Sequence, residues 1–436
     1  MRWWNGGSNS SAIATTRTSL ETPGCFVIEA ENLAGGRARC AGDPIAQHLA
    51  AFGALDQIFG EWLRGECSRS PKIWSSAIDW SRRRRRVRCS RRLAVTQRCY
   101  RDVMDVIEAI GNTPLIELKR VAAGLPVKVF IKCEHLNPGG SVKDRTARAI
   151  VLDAEARGQL RPGSTVIEGT AGNTGVGLAL LASARGYRCV CVLPEKMAVD
   201  KRVALRQLGS EVIITRNAPL SNPLNFRNVA ARMAEENGWF LANQFHNPAN
   251  ITAHYGTPRF KGTGEEILAQ LKAAGEHTIG AFVASSGSGG TITGAGKRIK
   301  EYDPRTQIVL ADPVGSSIAD WVNTGTLGPD GPFAVEGIGS GSVPGNLHRD
   351  VLDYAEKVTD ADAFAMVERL VKEEGLTVGG STGLNVVAAL RVAARGNLQG
   401  PVVTIAADQW DRYRSTPWMK AWMDREAAAI TLPQPA

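Results

Sequence analysis

A chain of 436 residues is too long for one ordinary domain and long enough to bury a large core, so two domains are the default. At 43% apolar and 22% charged it has the composition of a globular protein, and no run approaches the ~20 apolar residues of a membrane span. The net charge of +9 is a weak argument for nucleic acid, because residues 1–103 hold 17 Lys plus Arg against 9 Asp plus Glu and the rest is nearly balanced. That basic stretch peaks at residues 82–86, with Arg88, Arg91 and Arg92, and lacks the aromatic or glycine pattern of a nucleic-acid module. It reads as a solvated charge run, in which residues 46–63 alone show helical spacing through Leu49, Phe52, Leu55, Ile58, Phe59 and Trp62. Residues 1–103 are therefore expected to be a basic extension of little structure, or an upstream over-read of the gene. A transit peptide is the functional alternative, which the acidic residues disfavour.

From residue 127 the pattern alternates. A β-branched and aromatic run at 127–131 predicts a strand. A helix should follow over 141–156, capped by Ser141 and stopped by Gly158. The cycle repeats as strand 164–167, helix 173–185, strand 188–193, helix 197–208 and strand 211–215. A second series after Pro258 has strand 281–284, helix 291–302 and strand 307–311. It continues with a helix carrying Phe364, Val367, Leu370 and Val371 on one stripe, a helix over 382–395 and a strand over 402–406. Strand and helix in strict turn predict an α/β chain with two domains, each a mostly parallel twisted sheet flanked by helices. The boundaries expected are 104–250 for the first domain, 251–420 for the second and 421–436 for a tail.

Of the eight cysteines, five lie in the extension. Cys133, Cys189 and Cys191 sit in strand-like runs, and Cys189 and Cys191 would share one face of a strand, which suits core packing better than a bridge. No metal-ligand spacing is present, so no metal site is expected, and sparse cysteine usage points to a reducing cytoplasm.

Three glycine-rich loops carry the chemistry, each between a strand-like and a helix-like segment. The first is Asn137-Pro138-Gly139-Gly140-Ser141-Val142-Lys143-Asp144-Arg145. A lysine at a helix start meets the positive end of the dipole, sheds its proton more easily and can condense with an aldehyde. The second is Thr170-Ala171-Gly172-Asn173-Thr174-Gly175, whose hydroxyls and N–H groups suit a carboxylate. The third, Gly287-Ser288-Gly289-Gly290-Thr291, can hold a phosphate on backbone N–H groups and two hydroxyls without a cationic side chain.

In this order the loops resemble those of the cysteine synthase family, which includes cystathionine β-synthase and consists of pyridoxal-phosphate enzymes of fold type II, the tryptophan-synthase-β type. The resemblance runs from about Met104 to about Trp418. It implies that Lys143 carries pyridoxal 5'-phosphate, that Gly287, Ser288, Gly289, Gly290 and Thr291 hold its phosphate, and that Asn173 bonds its ring oxygen. By the same resemblance Ser381, within Gly379-Gly380-Ser381-Thr382-Gly383, faces the pyridine nitrogen. A hydroxyl there makes the ring a weaker electron sink than a carboxylate would, which favours loss and replacement of a β-substituent over transamination. The substrate falls to Thr170, Ala171, Gly172 and Thr174, joined by Gln244 of Asn243-Gln244-Phe245. Glu336-Gly337-Ile338-Gly339 matches another family loop near the cofactor.

One departure stands out: the family usually has serine where this chain has Ala171. The missing hydrogen bond is worth about 0.5–1.5 kcal/mol and bears on the preferred substrate. The activity implied is formation of L-cysteine from an O-activated serine and sulfide in a cytoplasmic homodimer, with no specific nucleic acid or membrane partner. Cysteine desulfhydrase is the alternative, and cystathionine β-synthase or serine/threonine dehydratase are less favoured.

Overall fold

The computed structural model describes residues 105–170 and 172–430. The expectations for residues 1–103, including a helix over 46–63, lie outside the described residues, as does Ala171. In chain order, strands β1 (Leu115–Glu117) and β2 (Val129–Lys132) come first, followed by helix α1 (Lys143–Ala156). Then β3 (Thr165–Gly169), α2 (Asn173–Arg185), β4 (Arg188–Pro194), α3 (Val199–Gln207) and β5 (Glu211–Thr215) repeat one cycle. After them come α4 (Phe226–Asn237), β6 (Phe240–Leu241), α5 (Ala249–Tyr255) and α6 (Thr263–Ala273). The second series is β7 (Ala281–Ser285), α7 (Gly290–Tyr302), β8 (Gln307–Pro313), α8 (Ile318–Thr324) and β9 (Tyr354–Val358). It ends with α9 (Asp360–Arg369), α10 (Gly380–Ala394), β10 (Val402–Ile405) and α11 (Pro417–Ala428).

Two sheets result. The smaller has the order β5-β4-β3-β6 and is parallel throughout. The larger has the order β1-β2-β10-β7-β8-β9, and only the β1–β2 pair is antiparallel. The chain is thus α/β with two mostly parallel sheets, as the alternating pattern predicts. The division expected at residue 250 does not follow the sheets. Val129 pairs with Val402 and Lys132 with Ile405, so two strands from the first part of the chain belong to the larger sheet. Periodicity identifies β2 as a strand but carries no information about which distant strand it joins. Helix α11 extends past residue 421, where a tail is expected, to Ala428 and buries Trp422 against Tyr413 and Met419.

Each sheet is covered on both faces, which is why its strands read as continuous apolar runs. In β7, Ala281 and Val283 face the cluster containing Leu384 and Val387, while Phe282 and Ala284 face Ile292 and Ile299. In the smaller sheet, Val166, Cys189 and Cys191 pack with Ile150 and Leu178, and Ile167, Val190 and Val192 pack with Val229 and Ala230. Cys189 and Cys191 are buried and free, their sulfurs 4.0 Å apart on one face. Helix α1 buries Ala147, Ile150, Val151 and Ala154 at helical spacing, and a fully buried isoleucine such as Ile150 contributes about 1.5–3 kcal/mol. Its start differs in detail from expectation. Val142 is the cap residue and makes no side-chain cap, while Ser141 Oγ only accepts a long 3.3 Å bond from the Lys143 N–H. Gly158 follows the helix at φ +70°, in the left-handed region that favours glycine. Among the described residues, no helix is long and apolar enough to cross a membrane.

Candidate active site

The lysine turn is fixed from below. Arg145, fully buried, donates to Glu134 at 2.7 Å and to Glu266 at 2.6 Å, and Lys132 reaches Glu266 at 2.7 Å. These cations draw the Glu266 carboxyl down to about 2 despite its burial. A buried ion cluster repays its desolvation only while every member is paired, so it holds the first turn of α1 in one place. Ahead of the lysine, Gly139 N–H donates to Asp144 Oδ2 at 2.5 Å, and Val142 N–H donates to the Ala407 carbonyl at 2.8 Å. The turn is therefore stitched to the segment that follows β10, where Ser141 and Asp408 form an isolated bridge.

Lys143 emerges from that turn into a pocket lined also by Asn173, Gly287, Ser288, Gly289, Thr291 and Ser381. Burial lowers its ammonium to about 8, opposed by the negative charge of Asp408. Its Nζ lies 3.5 Å from Ser288 Oγ, at the outer limit of a hydrogen bond. The third glycine loop comes straight off the C-terminal end of β7 and opens α7, so the free N–H groups of that first turn face the pocket region. All three of its glycines are required, Gly290 because a Cβ there would strike the side chain and the carbonyl of buried Asn250. A Cβ on Gly287 would strike the Gly337 carbonyl, and Gly289 combines φ +88° with backbone of Leu347 where a side chain would go. Thr291 Oγ is 3.1 Å from His254 Nε2, and burial together with Arg145, Lys143 and Arg148 keeps that imidazole neutral, well below its usual range.

Asn173 heads α2 and is held at both ends of its amide. Nδ2 donates to Asp408 Oδ2 at 2.6 Å, and Oδ1 accepts from Arg412. Ser381, buried in the first turn of α10, arrives through Gly379, whose N–H donates to the Asp408 carbonyl at 3.0 Å. The remaining candidates form a neighbouring group outside the pocket lining. Thr174 Oγ donates to Gln244 Oε1 at 2.6 Å, and the Gly172 N–H donates to Thr170 Oγ1 at 3.2 Å. Glu168 sits behind them, accepting from the N–H groups of Asn243 at 2.7 Å and Gln244 at 3.4 Å, its carboxyl raised by burial to about 7. Gly290 is buried at the start of α7 against Asn250.

Sequence reading missed four residues that organise this site: Asn250, Asp408, Arg412 and Tyr413. Asn250 donates through Nδ2 to the Gln244 carbonyl and to Ser288 Oγ, both at 2.8 Å, and accepts from Thr146 at 3.1 Å. Tyr413 donates to Asp408 Oδ2 at 2.5 Å. One signal was available for Asp408. It is an acid three residues past the C-terminal end of a parallel strand, where ligands of open α/β sheets bind.

The residues present fit a phosphate-bearing aldehyde: a buried amine that loses its proton near neutrality, a glycine cradle that admits no Cβ, and a helix start for the anion. The sequence pattern of the family described as pyridoxal-phosphate dependent enzyme matches residues 106–408, and the chain is a pyridoxal-phosphate-dependent enzyme. Within that class it belongs to the cysteine synthase and cystathionine β-synthase family. It is 41% identical over 338 residues to cysteine synthase 1 of Emericella nidulans, covering 76% of this chain and 89% of that one. It is 39% identical over 340 residues to cystathionine beta-synthase of Oryctolagus cuniculus, covering 76% of this chain but only 60% of the rabbit protein. Among solved structures it is similar to O-ureido-L-serine synthase, with TM-score 0.65 and 34% identity over 73% of this chain and 98% of that one.

Proposed function

We propose that this enzyme forms L-cysteine from O-acetylserine, or another O-activated serine, and sulfide. The observation that carries the reading is the meeting of Lys143, the Gly287–Thr291 loop and Ser381 in one pocket. In this reading Lys143 holds pyridoxal phosphate, the loop takes its phosphate, Asn173 serves its ring oxygen and Ser381 its ring nitrogen. When bound, the cofactor supplies an aldehyde that condenses with amines and a ring that withdraws electrons from the amino acid's α-carbon. The chain does the rest. With its ammonium lowered to about 8, Lys143 is deprotonated often enough near neutrality to act as an amine and then as general base at the α-carbon. Neutral His254 orients the Thr291 hydroxyl without adding charge beside the phosphate. In the same reading Thr170, Gly172 and Thr174 take the substrate carboxylate, which would replace the bonds that Thr174 now gives to Gln244 and the Gly172 N–H to Thr170. Ser381 is a hydroxyl and not a carboxylate, which favours rapid expulsion of a β-substituent over a long-lived carbanion.

A cytoplasmic homodimer using small-molecule substrates is part of the same reading, resting on family likeness. The domain division is best redrawn by sheets, with residues 165–241 as a smaller unit set into the rest. The cystathionine-forming alternative is supported by likeness to the rabbit protein, and the desulfhydrase alternative by Ala171. A substrate panel decides among them. O-acetylserine plus sulfide should give cysteine as the fastest turnover. Faster turnover of serine with homocysteine, or of cysteine alone to sulfide and pyruvate, would replace the proposal.

A further inference from the structure

One guanidinium joins the lysine turn to the head of α2. Arg412 lies in a short helical turn, Trp410–Tyr413, that follows β10 of the larger sheet. Its Nη1 donates to Asn173 Oδ1, and its Nη2 donates to the Gly139 carbonyl in the turn that leads to Lys143. Asn173 itself follows β3 of the smaller sheet. Space for the fork is kept by Gly140, where a Cβ would lie 2.7 Å from Arg412 Nη2 and where φ is +75°.

The base of the fork is fixed as well. Gln409 Nε2 donates to the His135 carbonyl at 3.2 Å, and buried Tyr413 puts its hydroxyl on Asp408 Oδ2 at 2.5 Å. Trp410 packs edge to face on Trp422. Both acceptors of Arg412 are neutral, so neither bond compensates a buried charge. What a planar guanidinium adds is a set angle and spacing between two acceptors, which the point charge of a lysine cannot supply.

The amide that the fork holds belongs to the pocket lining, whereas Arg412 does not. Arginine only donates, so the end of Asn173 that faces it is the oxygen, and Nδ2 turns to Asp408 Oδ2 at 2.6 Å. The second Nδ2 hydrogen has no partner among the described residues and is free for a ligand's acceptor.

Resting on the reading that Lys143 carries the cofactor and Asn173 serves its ring oxygen, we propose that Arg412 is a positioning residue of the reaction. Its fork sets the head of α2 against the lysine turn, so that Asn173 meets the ring oxygen of a cofactor held by Lys143. The guanidinium touches no reacting atom. It acts through Asn173 and Gly139.

The test uses the full chain loaded with pyridoxal phosphate. Arg412→Lys keeps the charge without the fork, and Arg412→Ala removes both. In each, borohydride should still fix the cofactor on Lys143, while the visible absorbance band, which depends on a donor at the ring oxygen, should weaken in favour of the near-ultraviolet one. kcat should fall roughly tenfold to a hundredfold, the scale of a misplaced reacting group. Folded variants, judged by circular dichroism, that keep the wild-type band and kcat overturn the proposal. So does a lower melting temperature with an unchanged band, the mark of a merely structural tie. In the Asn173→Ala background, Arg412→Ala should shift the band no further; a further shift as large as in the wild-type background shows action independent of Asn173 and sinks the idea. Should neither Arg412 variant fold, wild-type chain labelled with 15N-arginine answers instead. One guanidinium should show separately resolved Nη signals, as hindered rotation requires, and these should move when the cofactor binds; absent or unmoved signals refute the fork. If Lys143→Ala itself still fixes cofactor covalently, the lysine assignment fails, whatever Arg412 does.

Discussion

The side-chain amide of Asn250 donates to Ser288 Oγ at 2.8 Å, and the same nitrogen donates at 2.8 Å to the Gln244 carbonyl. One fully buried residue thus ties the glycine loop of the larger sheet to the loop that follows the smaller one. Its Oδ1, meanwhile, accepts from Thr146 on the lysine helix. Asn250→Ala should cost about 2–3 kcal/mol of stability, because it strands several buried partners at once. Cofactor retention should fall as well. Urea denaturation with and without pyridoxal phosphate measures both, and a stability loss without weaker retention would separate the two roles.

Lys143→Ala should abolish turnover, and borohydride should no longer fix the cofactor to the chain. Peptide mapping of the reduced wild-type enzyme should find the label on Lys143. A label on any other lysine contradicts the assignment.

Gly289→Ala places a methyl group at a φ of +88° and against the backbone of Leu347. The strain alone is worth on the order of 1–3 kcal/mol, and the loop must shift to relieve it. The expected result is a lower melting temperature together with a weaker cofactor Kd, read by fluorescence titration. Gly158→Ala, at a positive φ with open space around it, serves as the comparison for strain far from the pocket.

Glu168 gives a pH signature. Burial raises its carboxyl to about 7, so between roughly pH 4.5 and 7 the folded chain holds a proton that the unfolded chain has lost. Stability from this group therefore falls as pH rises through that window. His135, lowered by burial to about 4, works in the opposite sense, because the unfolded chain binds its proton more readily between about 4 and 6.5. The wild-type curve mixes these two with Asp144 and Asp312, whose carboxyls burial also raises, and the difference between wild type and Glu168→Gln isolates the first. That difference should grow in favour of the variant from pH 5 to 7.5, by melting temperature. A constant offset would mean that Glu168 is ionised throughout.

Ala171→Ser should move the partition between cysteine and pyruvate toward cysteine by up to roughly tenfold, the scale of one hydrogen bond. Product analysis with O-acetylserine and sulfide, and separately with cysteine alone, gives the ratio. Equal ratios in wild type and variant would make the departure at Ala171 neutral.

Much of the fold is legible along the chain because both sheets are buried on two faces. Runs such as Cys189–Leu193 and Val309–Ala311 then stand out as apolar, and the helices between them keep a clear stripe. Short elements escape. β1 has three residues and β6 two, and Phe240 and Leu241 are only half-buried, so neither strand offers a period to read. Helix α6 was missed because its buried positions mix Ile267 and Leu271 with Glu266, a carboxylate made tolerable inside only by Arg145 and Lys132 from distant parts of the chain. The same limit applies to the pocket. Lys143, Asn173, the Gly287–Thr291 loop and Ser381 belong to short glycine motifs and could be picked out one by one. Asp408 and Asn250 act through partners 235 and 38 residues away in the chain, and no local spacing records such a relationship.

The pairing of β2 with β10 has a consequence for how this protein comes to exist. The two strands are separated by roughly 270 residues, whereas the smaller sheet is drawn from one continuous stretch, 165–241. During synthesis the smaller sheet has all its strands early, while β2 waits with an unfilled edge until β10 leaves the ribosome. The lysine turn closes onto Ala407 and Asp408 only at that last step. A chain cut short before β10 would therefore leave both the edge of β2 and the backbone N–H of Val142 without their partners.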